Sequence, residues 1–389
     1  MERPFLTRIA VIAASEMTVK AFLRQHIAAL SQRYSVVVVV NTSDPALLEK
    51  SGIDATLVRM PIARNISPLL DLVALFRLFR LFRTGGFDVV HSVTPKAGLL
   101  ATLAASLAGV PLRLHTFTGQ VWVTRRGPMR ALLKAADRLI TRLATHVLVD
   151  SVSQRAFLVS QGIASESKAT VLGHGSISGV DIARFRPNPP ARKVLRESLG
   201  IRDSETVFLY MGRLKRDKGM LDLARAFAAS AANRPGMRLM LVGPDEDGLE
   251  ASIRGLAGNS VGRLLFAGYT DRPEDYYACA DVFCLPSYRE GFGSSILEAA
   301  AAGLPSIGSR IYGITDAIEE GSTGLLFEAG NVDELTRKIA ILADERTLRE
   351  RMGRGARQRA ARDFSADALT AALLYFYERL LAARSGKGG

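Results

Sequence analysis

The residues DVFCLPSYREGFGSSILEAAAAGLPSIGS, Asp281 to Ser309, set out one complete piece of folding pattern. A short apolar run comes first, then a turn rich in glycine and serine, then a small-residue segment, then a second short apolar run. That order fits strand, loop, helix and strand, one unit of a parallel α/β sheet. Two glutamates, Glu290 and Glu298, bracket the turn and the helix start. The helix is expected to begin near Ser294–Ser295, where its first backbone amides lack partners and its dipole favours an anion. Gly291 and Gly293 allow close approach of the backbone. Two readings compete. A capping box, Ser295-x-x-Glu298, accounts for Glu298 but leaves Glu290 beside a glycine turn. A ligand with hydroxyls and a phosphate accounts for both glutamates, because a carboxylate can accept two hydrogen bonds from a vicinal diol.

Outward from this stretch the same alternation fills the chain. TRIAVIAA, SVVVVVN, ATLVRM, FDVVHSV, LRLHTF, THVLVDS and ATVLGHG read as strands of the first half. TVFLYMG, MRLMLVG, RLLFAGY, DVFCLPS and LPSIGS read as strands of the second. Most are apolar on both faces, as in a buried parallel sheet. A length of 389 residues exceeds one ordinary core. The expectation is an α/β protein of two doubly wound, Rossmann-like domains facing a cleft, with ligands at the carboxyl ends of the strands. GSISGVDIARFRPNPP is the natural linker. The domains are expected at 1–183 and 184–365, with a C-terminal helix at 366–389 packing back toward the first domain and ending in a frayed RSGKGG.

Composition excludes several classes. The apolar share of 48% and charged share of 23% are those of a globular chain. The two cysteines, Cys279 and Cys284, match no metal spacing and point to a reducing compartment. The N-terminal MERPFLTRIAVIAASEM does not read as a signal peptide, and no apolar stretch reaches the roughly 18 residues of a spanning helix, GLLATLAASLAGVPL coming closest. The net charge of +13 is uneven: residues 1–183 hold 21 Lys/Arg against 11 Asp/Glu, and Arg64 to Arg142 hold 12 against 3. Such a patch suits nucleic acid or an anionic membrane surface.

GRLKRDKG, Gly212 to Gly219, follows the strand TVFLYMG and places Arg213 and Lys218 at its end. An arginine fork with a lysine point charge suits a diphosphate; the alternative is a solvated charged turn. With the E-x7-E pair Glu290/Glu298, with AGYTDRPEDYYACADVFCLPSYREGFG and with ISGVDIARFRP, the chain resembles the retaining glycosyltransferases of family 4, which have the GT-B fold. The resemblance covers nearly the whole length. It implies that Arg213 and Lys218 bind the donor diphosphate, Glu290 the donor sugar and Glu298 the ribose diol. Amides around Gly291, Phe292, Gly293 and Ser294 would contact sugar and phosphate, and residues near Gly268 and Tyr269 would line the base pocket. His115, read as ending the strand LRLHTF, matches the family histidine facing the donor sugar, against the alternative of a buried histidine bonded to backbone; the implied catalytic set is His115, Glu290, Arg213 and Lys218. HSVTPKAGLL and HTFTGQVW resemble a subgroup that extends lipid-linked oligosaccharides for bacterial surface polysaccharides. His91 and Lys96 are acceptor-side candidates. Trp122, the only tryptophan, either stacks on an acceptor sugar or fills core.

Two departures stand out. The loop after the first strand, AASEMT, lacks the glycines common in the family, and His174 stands where an asparagine is usual before the junction motif. GPDEDG contains the D-x-D pair Asp245 and Asp247, read as a polar loop, so no metal and no cofactor beyond the nucleotide-sugar substrate is expected.

The basic patch has helical form. Arg126, Arg130, Lys134, Arg138 and Arg142 recur every four residues, one ridge on a helix. In SPLLDLVALFRLFRLFRTGG, Arg77, Arg80 and Arg83 interrupt leucine and phenylalanine. Both read as basic amphipathic helices able to lie on anionic lipid, the alternative being ordinary sheet-covering helices with a solvated face, and no nucleic-acid module accompanies them. The expected activity is transfer of a sugar, such as an N-acetylated hexose, from a UDP-linked donor to a membrane-anchored glycan acceptor. The enzyme would be cytoplasmic and peripheral on the inner face of the membrane. A GT-B sugar-nucleotide epimerase or hydrolase, or a non-catalytic nucleotide-sugar binding module, are the rival readings.

Overall fold

β1 (Arg8–Ala13) and β2 (Ser35–Val40) are buried at every position but the first. The computed structural model describes residues 7–63 and 67–385. Arg64 and the RSGKGG residues beyond Ser385 lie outside them. Together with β3 (Thr56–Arg59), β4 (Val89–Val93), β5 (Leu112–Phe117), β6 (His146–Val149) and β7 (Ala169–Val171), they form a parallel seven-stranded sheet of order β3-β2-β1-β4-β5-β6-β7. The period of two sorts side chains to opposite faces. Ile9, Val11, Val36, Val38 and Val40 enter one apolar cluster, and Ala10, Ile12, Val37 and Val39 enter another. Both faces are covered by helices, which is why these strands are apolar throughout.

Those helices are α1 (Glu16–Thr18), running through a π-helical turn at Val19–Leu23 into α2 (Arg24–Ser31), then α3 (Pro68–Thr84), α4 (Pro95–Leu107), α5 (Gly127–Leu143) and α6 (Val152–Ser160). Proline in the first turn of α3, α4 and α5 pre-sets helical φ where no amide partner is needed.

The second sheet is parallel and six-stranded, with β8 (Thr206–Met211), β9 (Met237–Val242), β10 (Leu264–Gly268), β11 (Val282–Leu285), β12 (Ser306–Ser309) and β13 (Gly324–Phe327) in the order β10-β9-β8-β11-β12-β13. Its helices are α7 (Pro189–Ser198), α8 (Met220–Ala231), α9 (Glu250–Ala257), α10 (Pro273–Cys279), α11 (Ser294–Ala301), α12 (Ile314–Ala317), α13 (Val332–Asp344) and α14 (Arg346–Asp363). Both cysteines are free and buried. β13 is absent from the sequence reading: GLLF spans only four residues and carries no alternation to distinguish it from loop.

By contacts the chain separates into two units. One is residues up to Ser178 together with the segment from Asp367; the other is Gly179–Ala366. The first boundary thus lies a few residues before the expected 183/184. The closing helix, α15 (Ala366–Ser385), belongs to the first unit. Leu373 and Tyr377 join the cluster on the Ile9/Val11 face. Two buried histidines anchor it: His26 Nδ1 lies 2.9 Å from Thr370 Oγ1, and His91 Nδ1 lies 2.7 Å from Tyr377 Oη. Ion pairs Arg33–Glu378 and Arg384–Asp88 flank them.

Candidate active site

In the second sheet the chain starts at β8, builds outward through β9 and β10, then returns to the other side of β8 with β11. The order reverses between β8 and β11, and open α/β sheets bind ligands in the crevice at the carboxyl ends of such a pair. The loops leaving these two strands are GRLKRDKG and SYREGFG. The two stretches picked out from the sequence are therefore neighbours, across about 70 residues of chain.

Their contact is dense. Lys218 Nζ donates to Glu290 Oε1 at 2.6 Å, and Ser287 Oγ donates to the same oxygen at 2.7 Å. Arg289 Nη2 donates to Asp217 Oδ2 at 3.1 Å. The Tyr288 amide donates to the Asp217 carbonyl at 2.9 Å. Gly219 has φ of +73°, and a Cβ there would lie 2.0 Å from the Pro286 carbonyl oxygen. Only glycine lets the turn at Arg216–Lys218 pass so close. Tyr210, buried under the site, donates to the Arg213 carbonyl at 2.8 Å and fixes where that arginine departs.

Arg213 does not stand free. Its Nη1 and Lys215 Nζ lie 3.2 and 3.3 Å from Glu246 Oε2, in the GPDEDG loop after β9. Asp245 accepts from the amides of Leu249 and Glu250 at the start of α9, and Asp247 accepts from the Arg216 amide. Both aspartates of the D-x-D pair are thus engaged with backbone. Among the described residues no group of three or more His, Cys, Asp or Glu is arranged to hold a metal ion.

At α11 the structure departs from the capping box. Gly293 occupies the N-cap position and no side chain caps the helix. Glu298 instead accepts a hydrogen bond of 2.7 Å from Tyr277 Oη, which lies on α10. The residue keeps some accessible surface while its carboxyl lies among protein atoms, and burial pushes its pKa up to about 7; the Tyr277 bond and the nearby Arg184 charge pull the other way. Tyr277 is itself buried, edge-on to Phe185 at 5.7 Å. Gly268, φ +64°, ends β10, and Tyr269 is exposed with its hydroxyl on Asp271 at 2.9 Å.

The first unit places its candidates less openly. His115 sits within β5 rather than at its end and is fully buried. Its Nδ1 meets Ser92 Oγ at 2.9 Å, its Nε2 has no partner, and its ring fills the space a side chain at Gly98 would need. Burial lowers its pKa to about 3. His91 uses both ring nitrogens, on Tyr377 and on Thr116 at 2.8 Å. Lys96 forms a 2.6 Å ion pair with Asp71 of α3. Trp122 is 1% exposed and donates to Asp137 Oδ2 at 2.7 Å. Phe157 stacks on its ring, and Arg130 and Lys134 lie over it at 5.8 and 5.3 Å. With its faces covered it fills core, which corrects the acceptor-stacking alternative.

The basic ridge of α5 is partly spent within the unit. Besides covering Trp122, Lys134 donates to Gln161 and Arg138 to the carbonyl of Gly162. Nor is basicity confined to the first unit: α14 holds seven arginines against two acids, although Arg349 and Arg359 turn to backbone carbonyls.

Comparison with known proteins agrees with this architecture. Residues 18–175 match the glycosyl transferase 4-like domain, and residues 191–359 match glycosyl transferases group 1. The chain is a family 4 glycosyltransferase with the GT-B fold. It is 28% identical to the capsular polysaccharide biosynthesis glycosyltransferase CapM of Staphylococcus aureus over 84% of this chain and 86% of that one. It is likewise 28% identical to the UDP-Gal:alpha-D-GlcNAc-diphosphoundecaprenol alpha-1,3-galactosyltransferase of Escherichia coli, over 74% of each. The structure of HepE from Anabaena in complex with UDP and glucose superposes with a TM-score of 0.79, covering 96% of this chain and all of that one at 20% identity. Asp217, Arg289, Tyr277, Ser287 and Glu246 escaped the sequence reading. Asp217 and Arg289 each adjoin a chosen residue; for the other three, no local pattern marks them.

Proposed function

We propose that this glycosyltransferase moves a hexose, with retention, from a UDP-linked donor to a lipid-linked glycan during surface polysaccharide assembly. The observation that carries the reading is the Lys218–Glu290 pair across the switch point: a cation for diphosphate and a carboxylate for sugar hydroxyls, 2.6 Å apart. Arg213 joins Lys218 at the diphosphate, and Glu298 takes the ribose diol. The C1–O bond to diphosphate breaks as the acceptor oxygen bonds to C1 on the same face. The acceptor proton passes to the departing diphosphate, whose growing charge the two cations stabilise. No metal is needed for that role.

The acceptor assignment is supported by the name of the Escherichia coli relative, an enzyme acting on a diphosphoundecaprenol-linked sugar. Attachment to a membrane surface is supported by α3. Leu69, Val73, Phe76, Arg80 and Arg83 fall on one stripe of that helix. Leu69 is 81% and Phe76 65% exposed, with Leu70 and Leu72 beside them. The stripe is apolar in its first half and cationic in its second, a form suited to an anionic interface. α3 follows β3, so its apolar end lies toward the carboxyl edge of the first sheet. Among the described residues no helix is long and apolar enough to cross a membrane.

The test is incubation of the purified protein with UDP-sugars, with and without a polyprenyl-diphosphate glycan, reading UDP release and the acceptor mass. Acceptor-dependent UDP release with a one-sugar mass gain supports transfer. Equal release without acceptor favours the hydrolase or epimerase reading, and donor binding with no release favours a binding module.

A further inference from the structure

Two ion pairs lie side by side between the loops leaving β8 and β11: Lys218 with Glu290, and Asp217 with Arg289. Adjacent residues of one loop thus meet adjacent residues of the other. All four side chains are at least three-quarters enclosed, with exposures of 14% to 24%. On the reading proposed above, the two pairs cannot behave alike. Lys218 is to hold phosphate and Glu290 a sugar hydroxyl, so the contact between them opens when the donor enters. That opening removes a charge-assisted bond between the loops at the moment their separation matters most.

We propose that the Asp217–Arg289 pair is a positioning clamp that keeps the two loops in register while Lys218 and Glu290 part to take the donor. Three features support it. The Tyr288 amide is bonded to the carbonyl of Asp217 itself, so the clamp joins backbone as well as side chains. Gly219 passes against the Pro286 carbonyl, leaving little room for the loops to slide. Asp217 and Arg289 are the immediate neighbours of Lys218 and Glu290, so a shift of either is passed on directly. Neither Asp217 nor Arg289 is given a contact with donor; each acts through the residue beside it.

Arg289→Gln and Asp217→Asn test the clamp, with UDP and UDP-glucose as probes. Both should lower kcat/KM for UDP-glucose by roughly 10- to 100-fold, the scale set by a misplacement near 1 Å. UDP affinity should fall less, because UDP uses Lys218 without Glu290. The double variant should be no worse than the poorer single one, as expected of residues acting through one contact, and Arg289→Lys should recover part of the loss. Amide hydrogen exchange, read without any ligand, should quicken at residues 216–219 in Arg289→Gln although the substitution lies in the other loop. Wild-type kinetics with only a lowered melting temperature, or unchanged exchange at 216–219, would overturn the clamp. Lys218→Ala separates the two ideas. If it leaves UDP affinity intact, or if the unaltered protein binds no UDP, the diphosphate reading fails, and the exchange measurement alone judges the clamp.

Discussion

Glu298 makes donor binding depend on pH in a way that can be worked through. Burial raises its pKa from 4.5 to about 7 in the unliganded protein. A ribose diol donates two hydrogens, so it needs the carboxylate. If the protonated form does not bind, the apparent Kd scales as one plus the ratio of protonated to ionised Glu298. That factor is about 1.1 at pH 8, about 2 at pH 7 and about 11 at pH 6, a roughly tenfold loss of affinity, or about 1.4 kcal/mol, between pH 8 and pH 6. The ligand must be a UDP-sugar rather than UDP, because a terminal phosphate titrates near pH 6 and would add its own slope. Titration calorimetry with UDP-glucose at five pH values would trace the curve. Glu298→Gln should bind more weakly and lose the slope. A flat wild-type profile, or a Glu298→Gln variant that keeps the slope, would refute the assignment of Glu298 to the diol. The unliganded protein should show the opposite sign. With its folded pKa above the ordinary value, Glu298 binds more protons folded than unfolded between about pH 4.5 and 7, so its contribution to stability falls as pH rises through that window.

Four further outcomes are expected. Activity should survive EDTA yet fall in Lys218→Ala by about 10- to 150-fold, the range for losing a charged hydrogen bond of about 1.5–3 kcal/mol; full loss with EDTA restored by Mg²⁺ would favour a metal role for Asp245 and Asp247 and reverse the polar-loop reading. Leu72→Asp/Phe76→Asp should abolish binding to anionic vesicles at any salt. Arg77→Glu/Arg80→Glu/Arg83→Glu should remove chiefly the salt-sensitive part, each arginine being worth up to about 1 kcal/mol, and flotation with the two variants checks both. Trp122→Phe should lower stability by about 1–3 kcal/mol, since Asp137 loses its donor, and leave the acceptor KM unchanged in kinetic assay. Asp150 is buried, Oδ1 lacks a partner, and its pKa is pushed up from 3.8 to about 8; the folded state therefore holds its proton between those values, and Asp150→Asn should gain melting temperature over wild type as pH rises from 5 to 8.

What could be read from the sequence was local. The valine-rich strands, the small-residue helix at Ser294–Ala301 and the two glycine turns follow from periodicity and from positions where only glycine fits. Those signals extend over a few residues and need no partner. They were enough for two doubly wound units and for choosing Glu290, Glu298, Arg213 and Lys218. One of the two competing local readings does not hold. Ser295-x-x-Glu298 has the spacing of a capping box, yet the carboxylate goes to Tyr277, because α10 brings a buried hydroxyl to it that helix-start geometry cannot foresee. The ridge of arginine and lysine on α5 read as free charge until folding laid part of it over Trp122 and the carbonyl of Gly162. Strand order came only with the doubly wound, Rossmann-like expectation for the whole chain, not from these local signals. Nothing in either loop says that β11 returns beside β8, and only that return puts Lys218 on Glu290 and Asp217 on Arg289. Pairings of this kind are set by which sheet edge the chain comes back to, a choice made by the packing of both faces together rather than by any one segment.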